Sequence, residues 1–162
     1  MNIVISGCTC SGKTTLANKL SKTIMSQDSY YKDLKDIPRY RGKYLMDSIN
    51  AFHSNEYLED SISLLNNGMV YVPNYDISSN TRKSKDLKLI KSSINVFEGL
   101  HAINILNNID ALKIFLNTSL DECLKRRIKI DTSMYGINEN LIIEHFNETI
   151  IPMYKSYIEK QK

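Results

Sequence analysis

The chain has 162 residues, 42% of them apolar, a formal net charge of +3 and three cysteines. That length buries one core and is too short for two independent domains, so a single domain over residues 1–162 is expected. The charge is too small to make nucleic acid the default partner. The apolar runs fall well short of the ~20 residues that cross a bilayer, and no signal-peptide pattern opens the chain. An odd cysteine count in such a chain argues against a disulfide framework. A cytoplasmic protein with no membrane partner is expected.

Residues 1–6 form a short β-branched run, and after a glycine loop Leu16, Ala17 and Leu20 recur at helical spacing: strand, loop, helix. A second strand at residues 24–26 runs into a polar, tyrosine-rich stretch to about Met46. With Pro38, Gly42 and no periodicity, it reads as a long functional loop. Over residues 48–66, Phe52, Leu58, Ile62 and Leu65 predict a helical face that Gly68 would cap. "MVYVPNYDI" and "DLKLI" flank a polar turn and predict a small hairpin insertion at 69–91. "INVFEG" and "ALKIFLN" read as buried parallel strands joined by a short helical connection at 101–108. "SLDE" has capping-box spacing and opens a basic helix to about Asp131, and a last helix over 139–160 should kink or restart at Pro152. Strands alternating with helices give an α/β fold with a mainly parallel sheet.

Gly7-Cys8-Thr9-Cys10-Ser11-Gly12-Lys13-Thr14 satisfies G-x-x-x-x-G-K-[ST], directly after a strand and before a helix. The glycines let successive N–H groups curl inward, and the helix N-terminus adds its positive end. Lys13 would reach the β and γ phosphates and Thr14 would ligate Mg²⁺, with Thr15 beside them, so ATP and Mg²⁺ are the expected cofactors. Cys8 and Cys10 read either as redox-sensitive thiols beside a positive helix end or as small fillers, and the second fits tolerant loop positions better. His53, His101 and His145 show no zinc spacing with Cys123 or with each other.

Phosphoryl transfer needs an acceptor hydroxyl in line with the γ-phosphate and a carboxylate to take its proton. Asp28 follows the second strand, where parallel sheets open onto a ligand crevice, and is the candidate base or else a turn-capping aspartate. Glu98 ends the next buried strand. It either orients a metal-bound water or the acceptor, or pairs with a lysine.

"ISGCTCSGKTTLA", "SQDSYYK", "VPNYDISSNTRKS", "VFEGLHA" and "LKIFLNTSLDECLKRRIKID" together resemble the uridine kinase and phosphoribulokinase family, and within it the uridine-cytidine kinase branch. The resemblance runs from Met1 to about Met153. It implies a P-loop fold and ATP-dependent phosphorylation of a ribonucleoside 5′-hydroxyl, with Asp28 as general base and Glu98 near the metal. It further implies Tyr75 and the hairpin around the base, Tyr31 among the substrate-binding residues, and Arg126 and Arg127 on a lid at 119–137 clamping phosphates, a task suited to a planar fork of donors. The chain departs from that pattern at two places. The aspartate that grips the ribose diol is replaced by Asn50, with Asp47 three residues earlier, and the hairpin histidine by Asn80, followed by the expected Arg82. "SQDSYYK" with "IIPMYKSY" also resembles nicotinamide riboside kinase, a near relative. The family's sheet order 2-3-1-4-5 lacks its fifth strand here, which would leave "ALKIFLN" at an edge covered by the C-terminal helix or by a second subunit. A nucleotide-binding regulator without catalysis is the competing class. The basic stretch 82–91 reads better as a solvated hairpin strand than as a nucleic-acid patch.

Overall fold

The computed structural model describes residues 1–77 and 79–162; Ser78, inside the expected hairpin insertion, lies outside the described residues. In chain order the elements are β1 (Asn2–Gly7), α1 (Lys13–Leu20), β2 (Thr23–Ser26), β3 (Arg39–Tyr40), β4 (Lys43–Tyr44), α2 (Ser54–Asn67), β5 (Met69–Asp76) and β6 (Thr81–Ile90). Then follow β7 (Asn95–Glu98), α3 (Ala102–Ile105), β8 (Leu112–Leu116), α4 (Leu120–Tyr135) and α5 (Glu139–His145), after which the chain stays helical nearly to its last residue.

β2, β7, β1 and β8 form one parallel sheet in that order, the 2-3-1-4 order expected. Successive side chains on β1 and β7 point to opposite faces, so their unbroken apolar runs serve two cores. Val4, Phe97 and Met25 pack toward α2 and the β5–β6 hairpin. Ile3, Ile5 and Val96 pack against Ala17 of α1. A third cluster joins Cys8, Cys123 and Phe52 to the C-terminal helical segment through Phe146, Ile150, Tyr154 and Ile158.

α2 starts at Ser54, six residues later than the periodicity suggests, because Ser48 caps a separate tight turn at Ile49–Ala51 by accepting the Asn50 N–H. Phe52 is extended and bridges Tyr31, so it belongs to the third cluster and not to the helix. The buried face of α2 is Tyr57, Asp60, Ser61 and Leu64, while Ile62 is 43% exposed. Polar residues mask that stripe in the sequence. Asp60 tolerates burial because Tyr30 Oη donates to it at 2.9 Å and Lys85 Nζ pairs with it at 2.8 Å. Gly68 ends α2 in the left-handed conformation as expected.

β6 begins at Thr81, earlier than "DLKLI", and two register shifts around Pro73, each with one extra residue on β6, interrupt the pairing. Arg82 and Lys85 on this strand pair with Glu56 of α2, which explains why a basic run sits on a hairpin. α4 continues past Asp131 to Tyr135 and stops at Gly136. Only half of its capping box is made: Ser119 accepts the Glu122 N–H, but Glu122 turns to Arg126 Nε at 2.8 Å. The last helix runs on through Pro152 without a restart. Wider π-type turns at Phe146–Ile150 and Tyr154–Ile158 flank it with right-handed helical dihedrals at their caps, absorbing the missing donor. β8 is a sheet edge paired to β1, and the final turn, through Gln161, binds Leu100, Ser6 and Asn104 beside it.

Candidate active site

The loop between β1 and α1 is wound tightly enough to require glycine at both ends. A Cβ at Gly7 would come within 2.8 Å of Leu116 O and 2.9 Å of Ser11 Oγ, and Gly12 adopts φ +102 at the helix entrance. Lys13 is buried and folds back over the loop, donating to Gly7 O at 3.1 Å and Cys8 O at 2.8 Å. Ser11 Oγ is buried without a partner. Cys8 packs inward with Cys123, and their mutual hydrogen bond, with burial behind it, pushes the Cys8 thiol up, the inert-filler reading.

Two carboxylates stand at the ends of neighbouring strands. Glu98 closes β7, and its Oε1 accepts from Ser26 Oγ at 2.6 Å and Thr14 Oγ1 at 3.3 Å. Asp28 lies in the turn after β2, its N–H donating to Ser26 Oγ. Burial raises both carboxyls above the usual range; Lys13 pulls both down and Arg127 helps for Asp28. The Asp28 side chain still faces the open cleft, so water offsets that push until a ligand closes the site. Asp47 is more enclosed. Burial lifts its carboxyl to about 6 against Arg127 and Lys13, its Oδ2 has no partner, and its backbone carbonyl meets His101 Nε2 at 2.8 Å.

α4 supplies the opposite wall. Arg126 Nη1 reaches Ser11 O at 3.3 Å, while Arg127 Nη1 reaches Thr9 Oγ1 at 3.4 Å and Nε pairs with Asp131 at 2.6 Å. Burial works against the Arg127 charge, but the Asp131 carboxylate outweighs it and holds the guanidinium protonated. Both guanidiniums therefore lean on the glycine loop. On the remaining side Tyr31 contacts Phe52 at 4.2 Å and Tyr75 at 5.3 Å, centroid to centroid, with the rings tilted by 32° and 46°, so aromatic side chains wall the cleft there.

These groups enclose one cleft of ≈ 1070 Å³. Of the residues singled out in the sequence, Thr9, Cys10, Gly12, Lys13, Thr14, Thr15, Asp28, Tyr31, Asp47, Tyr75, Asn80, Glu98, Arg126 and Arg127 line it. Gly7, Cys8 and Ser11 form the buried underside of the loop. Asn50 is exposed and is not on the cleft wall, and Arg82 is committed to Glu56 at 2.6 Å. Asn80 sits at φ +50 in the hairpin turn, a conformation asparagine tolerates, so the turn gives it a reason independent of any ligand. Sequence reasoning passed over Ser26 and His145. Ser26 is next to the acceptor motif and its strand-end position was the available signal; His145 reaches the cleft from α5, which no local pattern announces.

The donor set suits a hard cation beside a polyphosphate: oxygens from Thr14 and Glu98, a second carboxyl at Asp28, both with a burial penalty on their charged forms that a bound cation would relieve, and a cationic loop with curled backbone. Among the described residues no group of three or more His, Cys, Asp or Glu forms a metal cluster, and no helix is long and apolar enough to cross a membrane.

A glycine loop between the first strand and first helix of a parallel sheet, with a basic helix over it, defines a P-loop kinase fold. The pattern of the Phosphoribulokinase / Uridine kinase family matches residues 2–162. The chain is 37% identical over 174 residues to the uridine kinase of Mycoplasma genitalium, covering 99% of this chain and 80% of that one. It is 33% identical over 171 residues to the uridine kinase of Borrelia duttonii, covering 99% and 81%. Among solved structures, a candidate fructose transport system kinase of Silicibacter sp. TM1040 superimposes with a TM-score of 0.79 at 17% identity, covering 99% and 84%, a likeness of fold. The chain belongs to the Phosphoribulokinase / Uridine kinase family and is a kinase.

Proposed function

We propose that the protein transfers the γ-phosphoryl group of ATP to the 5′-hydroxyl of a ribonucleoside, with uridine and cytidine as its substrates. The observation that carries this reading is that one cleft holds both halves of the chemistry: Lys13, Arg126 and Arg127 on the loop side, Asp28 and Asp47 on the other. Relatives named uridine kinase over 99% of the chain support the substrate class.

Thr14 and Glu98 would hold Mg²⁺, which would supply charge neutralisation at the phosphate oxygens. Lys13 leaves its two loop carbonyls and binds the phosphate oxygens instead, while Arg126 and Arg127 close over the charge that develops on the transferred group. Asp28 accepts the proton of the attacking hydroxyl. Tyr31 and Tyr75 stack the base, and the unpartnered Asp47 Oδ2 accepts ribose hydroxyls. In this reading the hairpin at 69–91 is the substrate-binding insertion and 119–137 the lid of a single domain.

The test is ADP formation from ATP and Mg²⁺ with a panel of uridine, cytidine, purine nucleosides and nicotinamide riboside. Turnover with uridine or cytidine at least tenfold above the others supports the assignment. Preference for nicotinamide riboside moves the substrate within the same chemistry, and ATP binding with no ADP from any nucleoside makes the chain a nucleotide-binding regulator.

A further inference from the structure

The Ser26 hydroxyl is shared by both carboxylate arms of the cleft. It donates to Glu98 Oε1 at 2.6 Å and accepts the Asp28 N–H at 3.3 Å. The Glu98 oxygen it binds is the one that accepts from Thr14 at 3.3 Å. Strand register puts Ser26 opposite Glu98. The strand ends are pressed together just beyond this pair: a Cβ on Gly99 would come within 2.3 Å of the Gln27 side chain, so Gly99 is what lets the two strands approach this closely. A glutamate has three side-chain torsions, and a short bond to its charged form from a rigid strand position selects one of its orientations.

We infer that Ser26 is a positioning residue for phosphoryl transfer, fixing Glu98 Oε1 toward Thr14 and, through the Asp28 amide, holding the acceptor turn at a set spacing from the metal side. This rests on the site reading proposed above. A purely local role would need only the second of its two bonds, the one that caps the Gln27–Tyr30 turn. The two roles differ in what they move. A cap changes folding stability, whereas a positioning hydroxyl changes cation affinity and turnover and leaves nucleoside binding alone.

The experiment uses the full chain with Ser26→Ala, Ser26→Cys and Ser26→Thr. Alanine and cysteine should lower kcat about tenfold and weaken Mn²⁺ binding to the ADP complex, read by calorimetry, by a similar factor, with nucleoside KM within about twofold. Threonine, which keeps the hydroxyl on a strand that suits it, should restore both to within about threefold. On a Glu98→Gln background, Ser26→Ala should cost less than twofold further, because the partner it orients is already altered. Unchanged kcat and Mn²⁺ affinity in both Ala and Cys variants, a full tenfold loss on the Glu98→Gln background, or a nucleoside KM that rises tenfold along with the fall in kcat would each overturn the inference. Weakened Mn²⁺ binding in a protein that phosphorylates no nucleoside would support the Ser26 role and sink the proposed activity, so the two fail separately.

Discussion

The two sides of the cleft are built on different principles. The phosphate side is mostly backbone: a loop wound between β1 and α1, glycine where a Cβ would collide, and a lysine already satisfied by Gly7 O and Cys8 O. The acceptor side is mostly side chain, and carries two buried polar atoms without a partner, Asp47 Oδ2 and Tyr75 Oη, where the glycine loop carries one, Ser11 Oγ. Buried orphans of this kind cost stability and persist where a ligand completes them. A phosphate is the same in every substrate, so a fixed cradle serves it. An acceptor can vary, and the sequence resemblance locates the chain's two expected departures, Asn50 and Asn80, among the acceptor contacts.

The sharpest way to break the comparison is Lys13→Ala. Loss of the cation should lower kcat/KM by on the order of 10³ or more, with every nucleoside affected alike. Near-normal turnover would mean that the arginines, and not the loop, carry the phosphate charge.

Asp28→Asn comes next, at about 10²–10³ in kcat, within the range for a lost general base. Nucleotide and nucleoside dissociation constants, measured directly by calorimetry, should change less than threefold. Equal losses in binding and turnover would make Asp28 a holding group and merge it with Asp47.

Asp47 separates stability from function. Its folded carboxyl titrates near 6, above the ordinary aspartate value, so the native state binds the extra proton more readily than the unfolded chain. The contribution favours folding at low pH and is lost as pH rises through about 6. Asp47→Asn should therefore raise Tm at pH 8 while raising nucleoside KM about tenfold. In the wild type, nucleoside KM should climb as pH falls below 6, and in the variant it should stay flat across that range. A wild-type KM that ignores pH between 5 and 8 would remove Asp47 from the substrate contacts.

A mainly parallel sheet was legible because short apolar runs alternate with helical patterns, while its strand order came only with the family resemblance; the loop was legible because its chemistry fixes its spelling. The start of α2 was not, because Ser48 and Ser54 both follow residues that can end a turn and the buried face includes Asp60 and Ser61, whose partners come from the distant Tyr30 and Lys85. His145 was missed for a related reason: α5 reaches the cleft only after α4 has been placed. Arg82 was expected at the substrate, and its ion pair with Glu56 depends on how the hairpin lies over α2.

The smallest effect is expected where the family pattern and the geometry disagree. The resemblance points to Asn50 as the place of a ribose-gripping aspartate, yet Asn50 is exposed and off the cleft wall, held at a turn by its N–H bond to Ser48. Asn50→Asp should then leave nucleoside KM within about twofold, as surface changes away from a site do. Asn80→His has an opposing cost. It would have to adopt φ +50, a region only glycine, and occasionally asparagine or aspartate, visits routinely, so any gain at the base is offset by some strain in the hairpin turn. The paired variant Asn50→Asp, Asn80→His should improve uridine KM by less than threefold and lower Tm slightly. A tenfold gain with both changes, additive from the single variants, would show that the loop carrying Asn50 swings onto the ribose when substrate binds. The acceptor side would then be a moving clamp, and its contrast with the fixed phosphate cradle would be sharper than the open cleft displays.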